Sequence, residues 1–214
     1  TINGTGTGLP SGTQLYAYLI DNLGNVVDSA KVNSDGTYTM DDARINRNYS
    51  VRISTQQVSI GSPDPGVSIL PADWVHVGEQ FGNNNSAGTG IETGTPNGLI
   101  SVNTTTVNIT NVNYGIERLP NSNNVTKATD INPGGTIQVS VPTLTGSDPE
   151  DGALGSSDSL IIKTLPINGT LYYNGIPVSA GQKITNYNPA LLTVDPTFPG
   201  SGTVTFTFAF LDAA

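Results

Sequence analysis

From Thr13 the chain alternates. Leu15, Ala17 and Leu19 take one side and Tyr16, Tyr18 and Ile20 the other, a two-residue period in aromatic and β-branched residues that predicts a strand. Asp21-Asn22-Leu23-Gly24-Asn25 is rich in residues that tolerate positive φ, so a turn is expected there, with the strand pattern resuming through Val26, Val27, Ala30 and Val32. Asn33-Ser34-Asp35-Gly36 marks the next turn. Residues 37–40 and 49–53 read as two further strands, the second with polar Ser50, Arg52 and Ser54 on its opposite face.

Residues 55–98 break this rhythm, because Gly, Pro and Asn crowd around one apolar island at 74–81; the reading is a long irregular insertion. Strands are expected again at 99–102, 105–109 and 112–116. Residues 117–124 are polar, contain Pro120 and lack apolar periodicity, so the domain boundary is placed between 119 and 120. In the second half Ile137, Val139 and Val141 alternate with polar residues, and Asn174-Gly175 between two short apolar runs signals a hairpin. The closing run sets Val204, Phe206, Phe208 and Phe210 on one face against Thr203, Thr205, Thr207 and Ala209. No segment of helical length shows helical periodicity. The expected fold is all-β: two tandem antiparallel β-sandwiches, 1–119 and 120–214.

Composition narrows the function. Among 214 residues there are 27 Thr and 22 Asn but only 8 Lys and Arg, against 17 Asp and Glu, a formal charge of −9. Such a surface repels phosphate backbones and anionic headgroups, so nucleic acid is not an expected partner. No apolar run approaches the length of a membrane span, so membrane insertion is not expected either. The absence of cysteine removes disulfides, thiolate metal sites and cysteine nucleophiles. The chain begins at Thr1 without an initiator Met and is read as a piece of something longer.

Several motifs are familiar. Residues 13–53, with Asp35-Gly36-Thr37-Tyr38 leading a strand out of a turn, resemble the prealbumin-like or Cna-B-type sandwich modules of bacterial surface proteins. Trp74-Val75-His76-Val77-Gly78-Glu79 and Val112-Asn113-Tyr114-Gly115-Ile116-Glu117 resemble repeats of very long adhesins in gliding Bacteroidetes. Residues 120–214 resemble bacterial cadherin-like or Ig-like repeats, through Gly146-Ser147-Asp148-Pro149-Glu150-Asp151-Gly152, Leu165-Pro166-Ile167-Asn168-Gly169-Thr170-Leu171, Phe198-Pro199-Gly200-Ser201-Gly202 and Leu211-Asp212-Ala213-Ala214. The resemblance implies a non-catalytic tandem-repeat region of a secreted bacterial cell-surface adhesin, acting in attachment or gliding motility. Its expected partners are neighbouring modules of the same chain and a surface polysaccharide or abiotic surface.

Four carboxylates stand out against that background. Asp148, Glu150 and Asp151 lie within four residues around Pro149, and the resemblance brings Asp212 beside them. One reading is a Ca²⁺ site, since a hard cation takes several oxygen ligands; the other is an acidic, solvated loop. Asp21, Asn25, Asp35, Asp41 and Asp42 offer a weaker oxygen cluster, the first three of which turn chemistry already explains. A second functional reading places polysaccharide recognition, or an accessory role beside a secreted enzyme, on Trp74 with Asn83, Asn84 and Asn85, although Trp74 alternates like a core residue. His76 is the single histidine and no G-x-S-x-G elbow occurs, so no catalytic constellation is expected. The Cna-B resemblance also raises a Lys–Asn isopeptide bond, but residues 13–20 hold no Lys and none is expected. Asp28-Ser29-Ala30 and Asp158-Ser159-Leu160 are similar to the O-glycosylation tripeptide of secreted Bacteroidetes proteins.

Overall fold

Short runs of β-branched and aromatic residues, cut repeatedly by Gly, Asn and Asp, give strands too short to stand alone and turns that reverse the chain. The computed structural model describes residues 2–5, 12–82, 95–128, 131–149, 151–197 and 202–212, and these are all-β. Among them the only helical element is one 3₁₀ turn, Pro189–Leu191, capped by the Asn188 side chain. The chain divides into two units, Thr1–Glu117 and Arg118–Ala214, where the sequence reading put the break at 119/120.

Unit 1 contains β1 (Ile2–Thr5), β2 (Tyr16–Ile20), β3 (Val26–Lys31), β4 (Thr37–Met40), β5 (Asn48–Ser54), β6 (Trp74–Phe81), β7 (Leu99–Asn103) and β8 (Val112–Arg118). An antiparallel sheet in the order β3-β2-β5-β7 carries the central strands; β1 pairs with β4, and β6 with β8. The core is closed by Leu15, Leu19, Tyr38, Met40, Val51, Ile53, Ile100, Val102, Val112 and Tyr114, with Trp74 and Phe81 packed against it in part. Two buried hydroxyls bind the sheets together. Tyr38 of β4 donates to the Val112 carbonyl of β8, and Tyr114 of β8 donates to the Val51 carbonyl of β5, each at 2.6 Å.

Unit 2 contains β9 (Asn121–Ser122), β10 (Val139–Ser140), β11 (Gly146–Asp148), β12 (Gly152–Leu154), β13 (Leu160–Thr164), β14 (Gly169–Tyr173), β15 (Ile176–Pro177), β16 (Lys183–Ile184), β17 (Leu192–Pro196) and β18 (Thr207–Phe210). Its sheets run β10-β17-β14-β15, β12-β11-β9 and β16-β13-β18, all antiparallel. Leu144, Leu160, Ile162, Leu171, Tyr187, Leu192, Val194 and Phe210 form a second, separate core. The β14–β15 turn is the expected hairpin: Asn174 and Gly175 both take positive φ, 52° and 75°. Val204, Phe206 and Phe208 join Phe210 at the core, while Thr203, Thr205 and Thr207 face outward.

Three local expectations need correction. Residues 55–98 are not irregular throughout, since the apolar island at 74–81 is strand β6. The stretch before it is pinned by side chains: Arg52 grips Asp64 through two bonds of 2.8 and 2.9 Å, and Thr55 N–H donates to the Ile69 carbonyl at 2.7 Å. Residues 105–109 form no strand. The Thr105 hydroxyl accepts from Val107 N–H, turning the chain and exposing Val107, so only Ile109 reaches the core. Finally, polar 117–124 is strand on both sides of Leu119 and Pro120, which alone separate β8 from β9.

Tyr38→Phe and Tyr114→Phe each remove a buried hydrogen bond between elements and are expected to cost about 1 to 2 kcal/mol in urea denaturation. Tyr16→Phe, whose hydroxyl makes one exposed 3.5 Å contact, is expected to be neutral.

Candidate functional site

The acidic motif of unit 2 sits at a hairpin. Asp148 ends β11 and pairs with Gly152 of β12, which takes φ 91°. Asp148 is buried, and its Oδ1 accepts from Asp151 N–H at 3.1 Å, which is turn-closing chemistry. Asp151 is exposed, and Asp212 is partly buried just after β18. Glu150 lies outside the described residues. No group of three or more His, Cys, Asp or Glu disposed for a metal occurs among the described residues.

The acids of unit 1 are occupied by backbone. Asp21 Oδ1 accepts from Leu23 and Asn25 N–H, and Asp35 from Thr37 N–H and hydroxyl, which holds the Asp35 carboxyl below its ordinary range. Asp28 Oδ2 accepts from Asp41 and Asp42 N–H at 2.9 and 3.1 Å. Asp21 and Asp35 hold turns closed in the way the sequence suggested, and Asp28 was not foreseen in this role.

A more concentrated arrangement surrounds His76, which sequence reasoning assigned to packing or surface. Its Nε2 lies 2.9 Å from Ser68 Oγ, and Ser68 Oγ in turn bonds the Ile53 carbonyl. A carbonyl only accepts, so the serine proton points at Ile53. The serine oxygen therefore accepts from Nε2–H, and the lone pair is left on Nδ1, which is buried without a hydrogen-bond partner. Three residues on, buried Glu79 collects three successive backbone N–H groups through Oε1: Asn97 at 2.6 Å, Gly98 at short range and Leu99 at 3.3 Å. Gly98 is the pivot. It takes φ 78°, and a Cβ there would stand 2.6 Å from His76 Cε1 and from Ser68 Cβ and Oγ.

Ser, His and Glu thus converge in the residue types of a hydrolytic triad, but the proton order is wrong for one. The hydroxyl donates away from the imidazole, and Nδ1 lacks the carboxylate bond that would orient the ring. The group is a lock between β5, β6 and β7. Trp74 begins β6 half-buried against the core, and Asn83, Asn84 and Asn85 lie outside the described residues.

No family model, no curated protein and no solved structure matches this chain. No helix among the described residues is long and apolar enough to cross a membrane.

Ser68 and Gly98 escaped sequence reasoning because nothing beside them in the chain points to His76 and Glu79, which they meet only in the fold. The available signal was Glu79, a charge inside an apolar strand. Burial pushes the His76 imidazole below its ordinary 6.5; nearby Glu79 opposes this and Arg52 reinforces it. The fold therefore favours the neutral ring, while the unfolded chain binds a proton near 6.5. This contribution is intact above that pH and is lost as pH falls from there toward the lower folded value. The wild type is expected to lose more melting temperature than His76→Gln between about pH 7 and pH 5; parallel curves would refute the assignment. Glu79→Ala, which leaves the Asn97 and Gly98 N–H groups without their acceptor while Leu99 N–H keeps Asn97 Oδ1 at 2.9 Å, is expected to cost about 3 kcal/mol in chemical denaturation, and Glu79→Gln less.

Proposed function

We propose that this chain is a non-catalytic, tandem-module part of a secreted bacterial surface adhesin, serving as stalk and attachment region outside the cell. The observation that carries the reading is the pair of separate cores, each closed by its own antiparallel sheets, with only Leu119 and Pro120 between the last strand of one unit and the first of the next. Modules with private cores can be added in series without new packing, and a short proline-containing connection passes tension along the chain. Surface chemistry supports the same role. Hydroxyl and amide side chains keep the modules soluble without presenting basic patches to polyanions.

The resemblance to cadherin-like repeats extends the proposal to Ca²⁺ at Asp148, Glu150, Asp151 and Asp212, stiffening unit 2. Calorimetry decides this part. A melting temperature higher in millimolar Ca²⁺ than in chelator supports the ion, and equal values leave a turn-closing loop alone. Polysaccharide recognition centred on Trp74 is not advanced, because the indole is partly taken up by the core.

The stalk reading is tested by pulling. Concatenated copies stretched by atomic force microscopy are expected to give two unfolding events per copy; a single all-or-none event would remove its basis. The attachment reading is tested under flow, where beads bearing the chain should outlast beads bearing an unrelated acidic protein on polysaccharide-coated or hydrophobic glass. Equal retention would overturn it.

A further inference from the structure

Unit 1 carries a cavity of about 380 Å³ lined by Asn22, Asn46, Arg47, Asn48 and Asn103. All five side chains are exposed. Four carboxamides and one guanidinium make the wall, and no carboxylate belongs to it, although the chain has 17 acids against 8 bases. Among the described residues Arg47 makes no ion pair, so its fork of N–H donors remains open to a ligand.

The wall is anchored from behind by buried Thr104. Its hydroxyl accepts from Arg47 N–H at 3.0 Å and lies within bonding distance of the Arg44 and Arg47 carbonyls, at 2.6 and 3.0 Å. Its own N–H donates to the Arg47 carbonyl at 2.9 Å, and its carbonyl accepts from Asn46 N–H at 3.0 Å. These bonds hold Asn46 in the left-handed region, φ 54°, and tie the turn before β5 to the residue after β7. In front, Asn103 Nδ2 donates to Asn48 Oδ1 at 2.7 Å, which sets the two amides in register and leaves Asn48 Nδ2 and Asn103 Oδ1 for other partners. The backbone of residues 46 and 47 and the Asn48–Asn103 amide pair are already held in place and lose little freedom when a ligand arrives.

We propose that this cavity binds an acidic saccharide, with hydroxyl groups on the asparagine carboxamides and a carboxylate on Arg47. A carboxamide offers a donor and an acceptor side by side, which suits neighbouring sugar hydroxyls, and a guanidinium matches a carboxylate with two parallel bonds. A peptide anchor is the weaker fit, because such anchors seek a desolvated apolar pocket and this lining has no apolar residue. The volume lies in the range of small-molecule sites. The −9 charge opposes dense polyanions at long range, so the ligand carries isolated carboxylates rather than a continuous sulfated or phosphorylated chain. This inference is independent of the stalk reading, since it concerns one face of one unit.

The test is a glycan array of uronate- and sialate-bearing oligosaccharides beside their neutral counterparts, probed with the full chain and three variants. Binding is expected on a subset of carboxylated glycans and to be about tenfold weaker on the neutral ones, the loss that goes with a charge-assisted pair. Arg47→Ala should bring the acidic glycans down to the neutral level, and Asn103→Ala should weaken both. Arg44→Ala, which removes an equal charge outside the lining, should change neither. All three side chains are exposed, so unchanged melting temperatures are expected to accompany these results. The proposal is overturned by silence on every carboxylated glycan, by binding that survives both Arg47→Ala and Asn103→Ala, or by equal losses in Arg44→Ala and Arg47→Ala.

Discussion

The carboxylate of Glu79, gathered by the N–H groups of Asn97, Gly98 and Leu99, is the contact on which unit 1 turns. A buried charge is tolerable only where hydrogen bonds replace its water, and three consecutive amides at the start of β7 do so. Once that start is fixed, its neighbours are fixed as well. Gly98 offers its carbonyl to Ile53 N–H at 3.0 Å, which starts the β5–β7 ladder, and its missing side chain leaves the room that His76 and Ser68 occupy. One ionised group on one strand thereby aligns two neighbouring strands, and the aromatic hydroxyls of Tyr38 and Tyr114 complete the closure elsewhere.

The same principle recurs without charge. Thr104 at the other end of β7 does with a hydroxyl and its own peptide what Glu79 does with a carboxylate, and Ser54 accepts from both Gln56 and Ile69 N–H to tether the excursion after β5. Long connections in this protein are held by small polar side chains that reach backbone groups, because cations are scarce, cysteine is absent and the described residues contain no α-helix to share the task. Arg52 with Asp64 is the exception. It is buried and bidentate, the kind of pair whose disruption leaves a costly unpaired ion.

Much of the sheet was legible in the sequence, since local chemistry decides it. Asn174-Gly175 predicts its hairpin because few other residue pairs enter that turn so easily, and the Thr/Phe alternation before Leu211 predicts which face meets the core. The differences arise where a distant partner overrides local chemistry. Residues 105–109 have the composition of a strand, but the Thr105 hydroxyl turns the chain first. β6 stands between glycine-rich and proline-rich flanks and looks irregular from them, until β8 supplies its pairing partner. The site residues were harder still: Ser68 and Gly98 look ordinary in their own neighbourhoods, Glu79 stands out only as a charge inside an apolar strand, and Thr104 is one threonine among 27.

With 8 cations against 17 acids, most carboxylates have no basic partner to find, and one of those cations, Arg52, is already committed to Asp64 out of reach of mobile counter-ions. Salt therefore has little attraction left to screen on this surface. What it does screen is the mutual repulsion of the surplus acids, which favours the folded chain. A surface built from hydroxyls and amides in this way keeps its strength in brine as well as in fresh water.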